Sequence, residues 1–124
     1  MSIEYVVDVR ENHVHAKLAN TLSNEDAIDF EADLIGDDRV QPGFSLLFDA
    51  SCVRNVQLNH DVVKGLLEME QVFPDKFVGA RRAFVFDRRS DFRWALYFRD
   101  RAQGRNFIGF NVEKAQAWLR RARD

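Results

Sequence analysis

The sequence predicts a single-domain α/β fold, with strands and helices in the order ββαβαβ, then one segment that fits either type, then βα, on three observations. Gly43 to Ser51 (GFSLLFDAS) holds an apolar block of Phe44, Leu46, Leu47 and Phe48 between Pro42 and Asp49, the pattern of a strand buried on both faces of a helix-covered sheet. Two alternating runs precede it and read as a hairpin. After it, segments with helical spacing alternate with short apolar runs. The 124 residues, 46% apolar and 31% charged, suit one soluble domain with one core.

Composition excludes several classes. No run approaches the ~18 apolar residues of a membrane span. Ser2 to Arg10 carries acids and alternates, where an export signal has a basic start and an apolar core. Cys52 is the only cysteine, so no internal disulfide forms and a reducing cytoplasm is the expected location. Charge is unevenly spread, with 15 acids against 5 Lys/Arg in residues 1–75 and 5 acids against 13 Lys/Arg in residues 76–124. A βα chain interleaves its halves in space, and no helix-turn-helix or zinc-finger pattern accompanies the arginines, so nucleic acid is not an expected partner.

In chain order, Ile3 to Val9 alternates with Ile3, Tyr5, Val7 and Val9 on one face. Arg10 to Asn12 make a turn, and Val14, Ala16 and Leu18 then alternate with His13, His15 and Lys17. His13 and His15 share a face, but zinc takes a third and usually a fourth ligand. His60 is the only other histidine, and no metal or cofactor is expected. Leu22 to Gly36 reads as a helix, with Ser23 as N-cap, Asp26 as its reciprocal partner and Gly36 as a left-handed cap. Ala27, Phe30, Leu34 and Ile35 form its core-facing stripe. The acids Glu25, Asp29, Glu31, Asp33, Asp37 and Asp38 read as a solvated face, or as a docking surface for a basic partner.

Asp49 to Asp61 (DASCVRNVQLNHD) follows the buried strand, and ligands of α/β sheets bind outside the carboxyl ends of strands. A strand ending in Asp opens an aspartyl phosphotransferase site, yet the general acid that chemistry needs two residues on is replaced by Ser51. Ser51, His60 and Asp61 have the residue types of a hydrolase triad. No G-x-S-x-G elbow surrounds Ser51, and adjacent His and Asp point apart on a helix. No catalytic residue is therefore expected. Asn59 reads as the N-cap of a helix with Val62, Val63, Leu66, Leu67 and Met69 as its stripe, ending near Val72 before Phe73 and Pro74. Its free N–H groups beside Ser51 make a candidate anion or partner site.

Phe77 to Asp87 (FVGARRAFVFD) is the next strand, parallel to the first buried one, with Arg81 and Arg82 on opposite faces so that at least one snorkels or meets an acid. Ser90 to Gln103 fits either strand alternation or a helix with Ser90 as N-cap and Gly104 as stop. On a helix, Phe92, Trp94, Ala95, Leu96, Phe98 and Ala102 span an arc of roughly 200°. That exceeds one core-facing stripe and points to Trp94, Tyr97 and Phe98 as a homodimer or partner interface. Asn106 to Phe110 is a final strand, and Asn111 caps a helix from Val112 to Arg123 bearing Ala115, Ala117, Trp118, Leu119 and Ala122.

FVGARRAFVFD followed by DFRWALYFRDRAQGRNFIGFNVEKAQAWL resembles the SpoIIAA-like branch of the STAS superfamily, where a closing strand ends in phenylalanine and leads to a helix finishing Ala-x-x-Trp-Leu. Phe110, Glu113, Ala115, Ala117, Trp118 and Leu119 carry the match. LLFDAS, LSNEDAIDF and the element order extend it over nearly the whole chain. The resemblance implies a mixed sheet of about five strands with helices mainly on one face, a helix over Ser90 to Gln103, and a non-enzymatic regulatory or protein-interaction module. In better-studied relatives, the anti-sigma-factor antagonists, a phosphorylated serine opens the helix after the buried strand; this chain has Asn59, His60 and Asp61 there. Some SpoIIAA-like proteins are similar to lipid-carrying CRAL-TRIO domains, which implies as alternative a carrier of a small apolar or anionic ligand between sheet and helices. The expected binding surface comprises Asp49, Ser51, Asn59, His60, Asp61 and Asp87, its occupant an unknown protein or small ligand.

Overall fold

The computed structural model describes residues 3–122. Five strands and five helices follow in the order β1 (Glu4–Asp8), β2 (His13–Leu22), α1 (Asn24–Gly36), β3 (Ser45–Val56), α2 (His60–Val72), α3 (Pro74–Phe77), β4 (Arg81–Phe86), α4 (Arg93–Arg101), β5 (Arg105–Gly109) and α5 (Val112–Ala122). One mixed sheet runs β1-β2-β3-β4-β5. β1 and β2 are the antiparallel hairpin; β2 to β5 are parallel neighbours. The α/β class and the predicted order are therefore found, with α3 as an added turn.

The order of the sheet explains where the helices lie. Strands β2 to β5 advance in one direction, so connections of the usual right-handed kind place every crossover helix on the same face. On that face Val14, Ala16, Leu46, Phe48, Ala50 and Phe86 meet Phe30 and Leu34 of α1 and Phe77 of α3. The alternate residues Leu47, Ala83 and Val85 meet Ala115 and Leu119 of α5, which folds back on the opposite face after the last strand. β3, third of five, is covered on both sides, with Leu46 and Leu47 each 1% exposed. Burying one such leucine stabilises the fold by roughly 1.5–3 kcal/mol.

Several boundaries differ from the sequence reading for local reasons. β2 runs on to Leu22 and β3 to Val56, because the two pair in parallel through register shifts near Ala19 and Asn20. Gly36 is not a left-handed cap. Helix α1 ends instead on Asp37, whose N–H donates to the Leu34 carbonyl, and Lys76 Nζ donates to the carbonyls of Ile35 (3.0 Å) and Asp37 (3.2 Å). Phe77 and Val78 belong to and follow α3 rather than starting a strand; Phe77 is fully buried with its ring edge-on to Phe44. Ser90 does not cap α4: its Oγ donates back to the Asp87 carbonyl, and the helix begins at Arg93. Ser23, Asn59 and Asn111 do cap, accepting from the N–H groups of Asp26, Val62 and Lys114. Arg123, the expected end of the last helix, lies outside the described residues.

Candidate functional site

The residues expected at the carboxyl edge of the sheet fall into two groups. Asp49, on β3, is buried and its Oδ1 accepts from both the N–H (3.0 Å) and the Oγ–H (2.6 Å) of Ser51. Asp87, just after β4, accepts from Nε and Nη2 of Arg89 at 3.1 and 2.8 Å, with Arg54 at 3.8 Å. Hydrogen bonds from Arg89 hold its carboxyl well below the usual carboxylate range. Ser51 and Asp87 share a shallow depression with Phe86, Arg88, Arg89 and Phe110, where the Arg88 guanidinium lies 4.3 Å from the Phe110 ring centroid.

Asn59, His60 and Asp61 sit apart from these, at the exposed start of α2. His60 stacks on Trp94 at 5.3 Å, meets Tyr97 edge-on at 5.1 Å, and places Nε2 3.3 Å from the Tyr97 hydroxyl. Arg101 covers the Tyr97 ring at 3.6 Å. The wide apolar arc of α4 is thus used sideways against α2 as well as down onto the sheet. Phe98 points inward, 9% exposed, onto Phe84 and beneath Arg82. Ser51 pairs with Asp49 and His60 with α4, so the contacts of a Ser51–His60–Asp61 relay are not the ones made.

A second region was missed in the sequence. Between the sheet and helices α1, α2 and α4 lies a cavity of about 80 Å³. Phe30, Phe48, Phe84, Phe86, Trp94 and Phe98 supply rings to its wall, with Leu34, Leu46 and Leu66 among its aliphatic lining. Leu58, Trp94 and Ala95 are half-buried at the end nearest the carboxyl edge of the sheet, and Phe84 and Ile108 stay half-buried in mid-sheet because the cavity lies over them. Two charged residues also line it, Glu31 and Arg82.

These two belong to a buried network. Arg82, 2% exposed, donates from Nη1 and Nη2 to the Glu70 carboxylate at 2.6 and 3.0 Å, from Nε to Asn106 Oδ1 at 2.9 Å and from Nη2 to the Gln103 carbonyl at 2.9 Å. Its guanidinium lies 5.1 Å from the Phe77 ring centroid and 5.3 Å from that of Phe98. Glu31, 6% exposed, hydrogen-bonds through its carboxyl to Glu70, itself 1% exposed. Burial above all, then the charge and hydrogen bond of Glu70, push the Glu31 carboxyl well above the ordinary range against the opposing pull of Arg82. Glu31 therefore holds its proton more tightly than an ordinary glutamate does.

Glu31 thus leaves the solvated acidic face assigned to it in the sequence. The signal was present: Glu31 lies four residues after Ala27 and three before Leu34, and Glu70 four after Leu66 and seven after Val63, both in their helices' buried stripes. A carboxylate in a core stripe needs a buried partner, and Arg82, expected to snorkel or meet an acid, is that partner. Among the described residues no group of three or more His, Cys, Asp and Glu is placed to hold a metal. No helix among them is long and apolar enough to cross a membrane. No family model, curated protein or solved structure matches the chain.

Proposed function

We propose that this chain is a non-enzymatic binding module whose ligand is a small, mainly apolar molecule held between the sheet and helices α1, α2 and α4. The cavity carries this reading. Protein interiors are close-packed, with few voids larger than one water, whereas ~80 Å³ is more than half the size of an apolar cavity known to admit benzene. Its position under the crossover helices and its half-buried end near the carboxyl edge of the sheet are where α/β folds take ligands. Native and denaturing mass spectrometry of freshly purified protein tests it. The expected result is an added small mass that survives native spraying and is lost on unfolding; identical masses in both, from protein made in its native host, count against it.

The depression around Ser51 and Asp87 favours a second reading, a STAS-like interaction surface for a protein partner, a second copy included. Asp49, Ser51 and Asp87 support it as a fixed polar patch flanked by Arg54, Arg88 and Arg89, with Asn59, His60 and Asp61 apart from it at the start of α2. Substituting Asp87→Ala should then release a partner captured from the native host; unchanged capture would refute the surface. A strict monomer in sedimentation at high micromolar concentration would exclude the second copy.

A further inference from the structure

Resting on the cavity reading above, we infer that the ligand is an apolar primary amine, its ammonium group seated on the Glu31 carboxylate at the polar end of the cavity. The argument is one of charge. Two carboxyl groups and one guanidinium meet there, all at most 6% exposed. Arg82 has four of its five N–H groups committed to Glu70, Asn106 and Gln103. With both carboxyls ionised the cluster holds one negative charge more than Arg82 cancels, and a buried uncompensated charge is strongly disfavoured. In the unliganded protein a proton on Glu31 restores the balance. The charged groups acting on Glu31 are Glu70 from α2 and Arg82 from β4.

An entering cation does the same work as that proton. Glu31 releases its proton to solvent, the ammonium takes its place on the Glu31 carboxylate, and the cluster stays neutral. A carboxylate ligand would instead leave a net negative charge, and an alcohol would leave the proton where it is. The wall fits the same class. Six aromatic rings face the cavity, and ring faces attract cations while excluding water. The volume accommodates only a short alkyl stem, so a longer chain extends toward the half-buried Leu58, Trp94 and Ala95.

Titration calorimetry of the full chain at pH 7 with n-hexylamine and with 1-hexanol, repeated in buffers of different ionisation enthalpy, tests the assignment. Hexylamine is charged at this pH, as lysine is. It should bind at least about tenfold tighter than hexanol, releasing about one proton per amine bound. Glu31→Gln, isosteric and still able to donate to Glu70, should lose that preference and the proton release while keeping its affinity for hexanol. Equal affinity for amine and alcohol in the unmodified protein, or amine binding without proton release, overturns the amine assignment and leaves the apolar cavity as the site. Binding of neither overturns both. The proton count comes from the unmodified protein alone, so the test stands even if the variant fails to fold.

Discussion

Glu31 concentrates the chemistry of the molecule in one side chain. Burial raises its carboxyl on folding well above the ordinary value of ~4.3 of the unfolded chain. A raised carboxyl binds its proton more tightly when folded. The stability it contributes is therefore complete below ~4.3 and is lost as pH rises through the higher folded value. Glu31→Gln is neutral at every pH and should equal the unmodified protein near pH 4 but melt at a higher temperature at pH 8, as followed by calorimetry. A melting difference that does not change with pH would refute the assignment. Asp37 and Asp87 act in the opposite sense: Arg39 and Arg89 hold their carboxyls low, so their contribution is lost as pH falls below the ordinary aspartate range. That at least one of Arg81 and Arg82 snorkels or meets an acid was legible from sequence. Which acid Arg82 meets was not, because α1, α2 and β4 are brought together only by the crossovers.

Element boundaries follow capping and turn chemistry closely. Ser23, Asn59 and Asn111 were readable as N-caps because a short polar side chain ahead of an apolar stripe has one economical use, the free N–H of the first turn. Gly36 and Ser90 misled for the same reason in reverse. Each has the right type in the right place, but Lys76 already satisfies the end of α1, and the Asp87 carbonyl already takes the Ser90 hydroxyl. Gly104 is different, because its φ of +76° is the left-handed region and the chain there is crowded. A Cβ on it would lie 2.7 Å from the Phe77 carbonyl oxygen and closer still to that of Ala80. Gly104→Ala should therefore cost more than about 2 kcal/mol in chemical denaturation, with Gly43→Ala, φ +79° but nothing within 4 Å, costing less. Equal losses at the two positions would remove the crowding argument.

At the scale of the whole chain, the alternating hairpin, the doubly buried third strand and the order of elements were all legible. Hydrophobic period within one segment sets each of these except α4, whose pattern fits a strand as well as a helix, and a one-directional parallel sheet then places α1, α2 and α4 on one face without further instruction. The cavity was not legible. It arises from how three helices lie over the sheet, a property of no single segment, and Glu31 and Arg82 at its polar end come from two elements and are joined through Glu70 on a third. Ligand binding requires that space to be accessible from solvent. Diffraction from crystals under xenon pressure measures it most directly, since xenon enters apolar cavities without needing a specific ligand. The account predicts a xenon peak bounded by Leu46, Phe48, Phe84 and Phe98, between the sheet and the three helices. Side chains closed over that volume, with no peak, would contradict it.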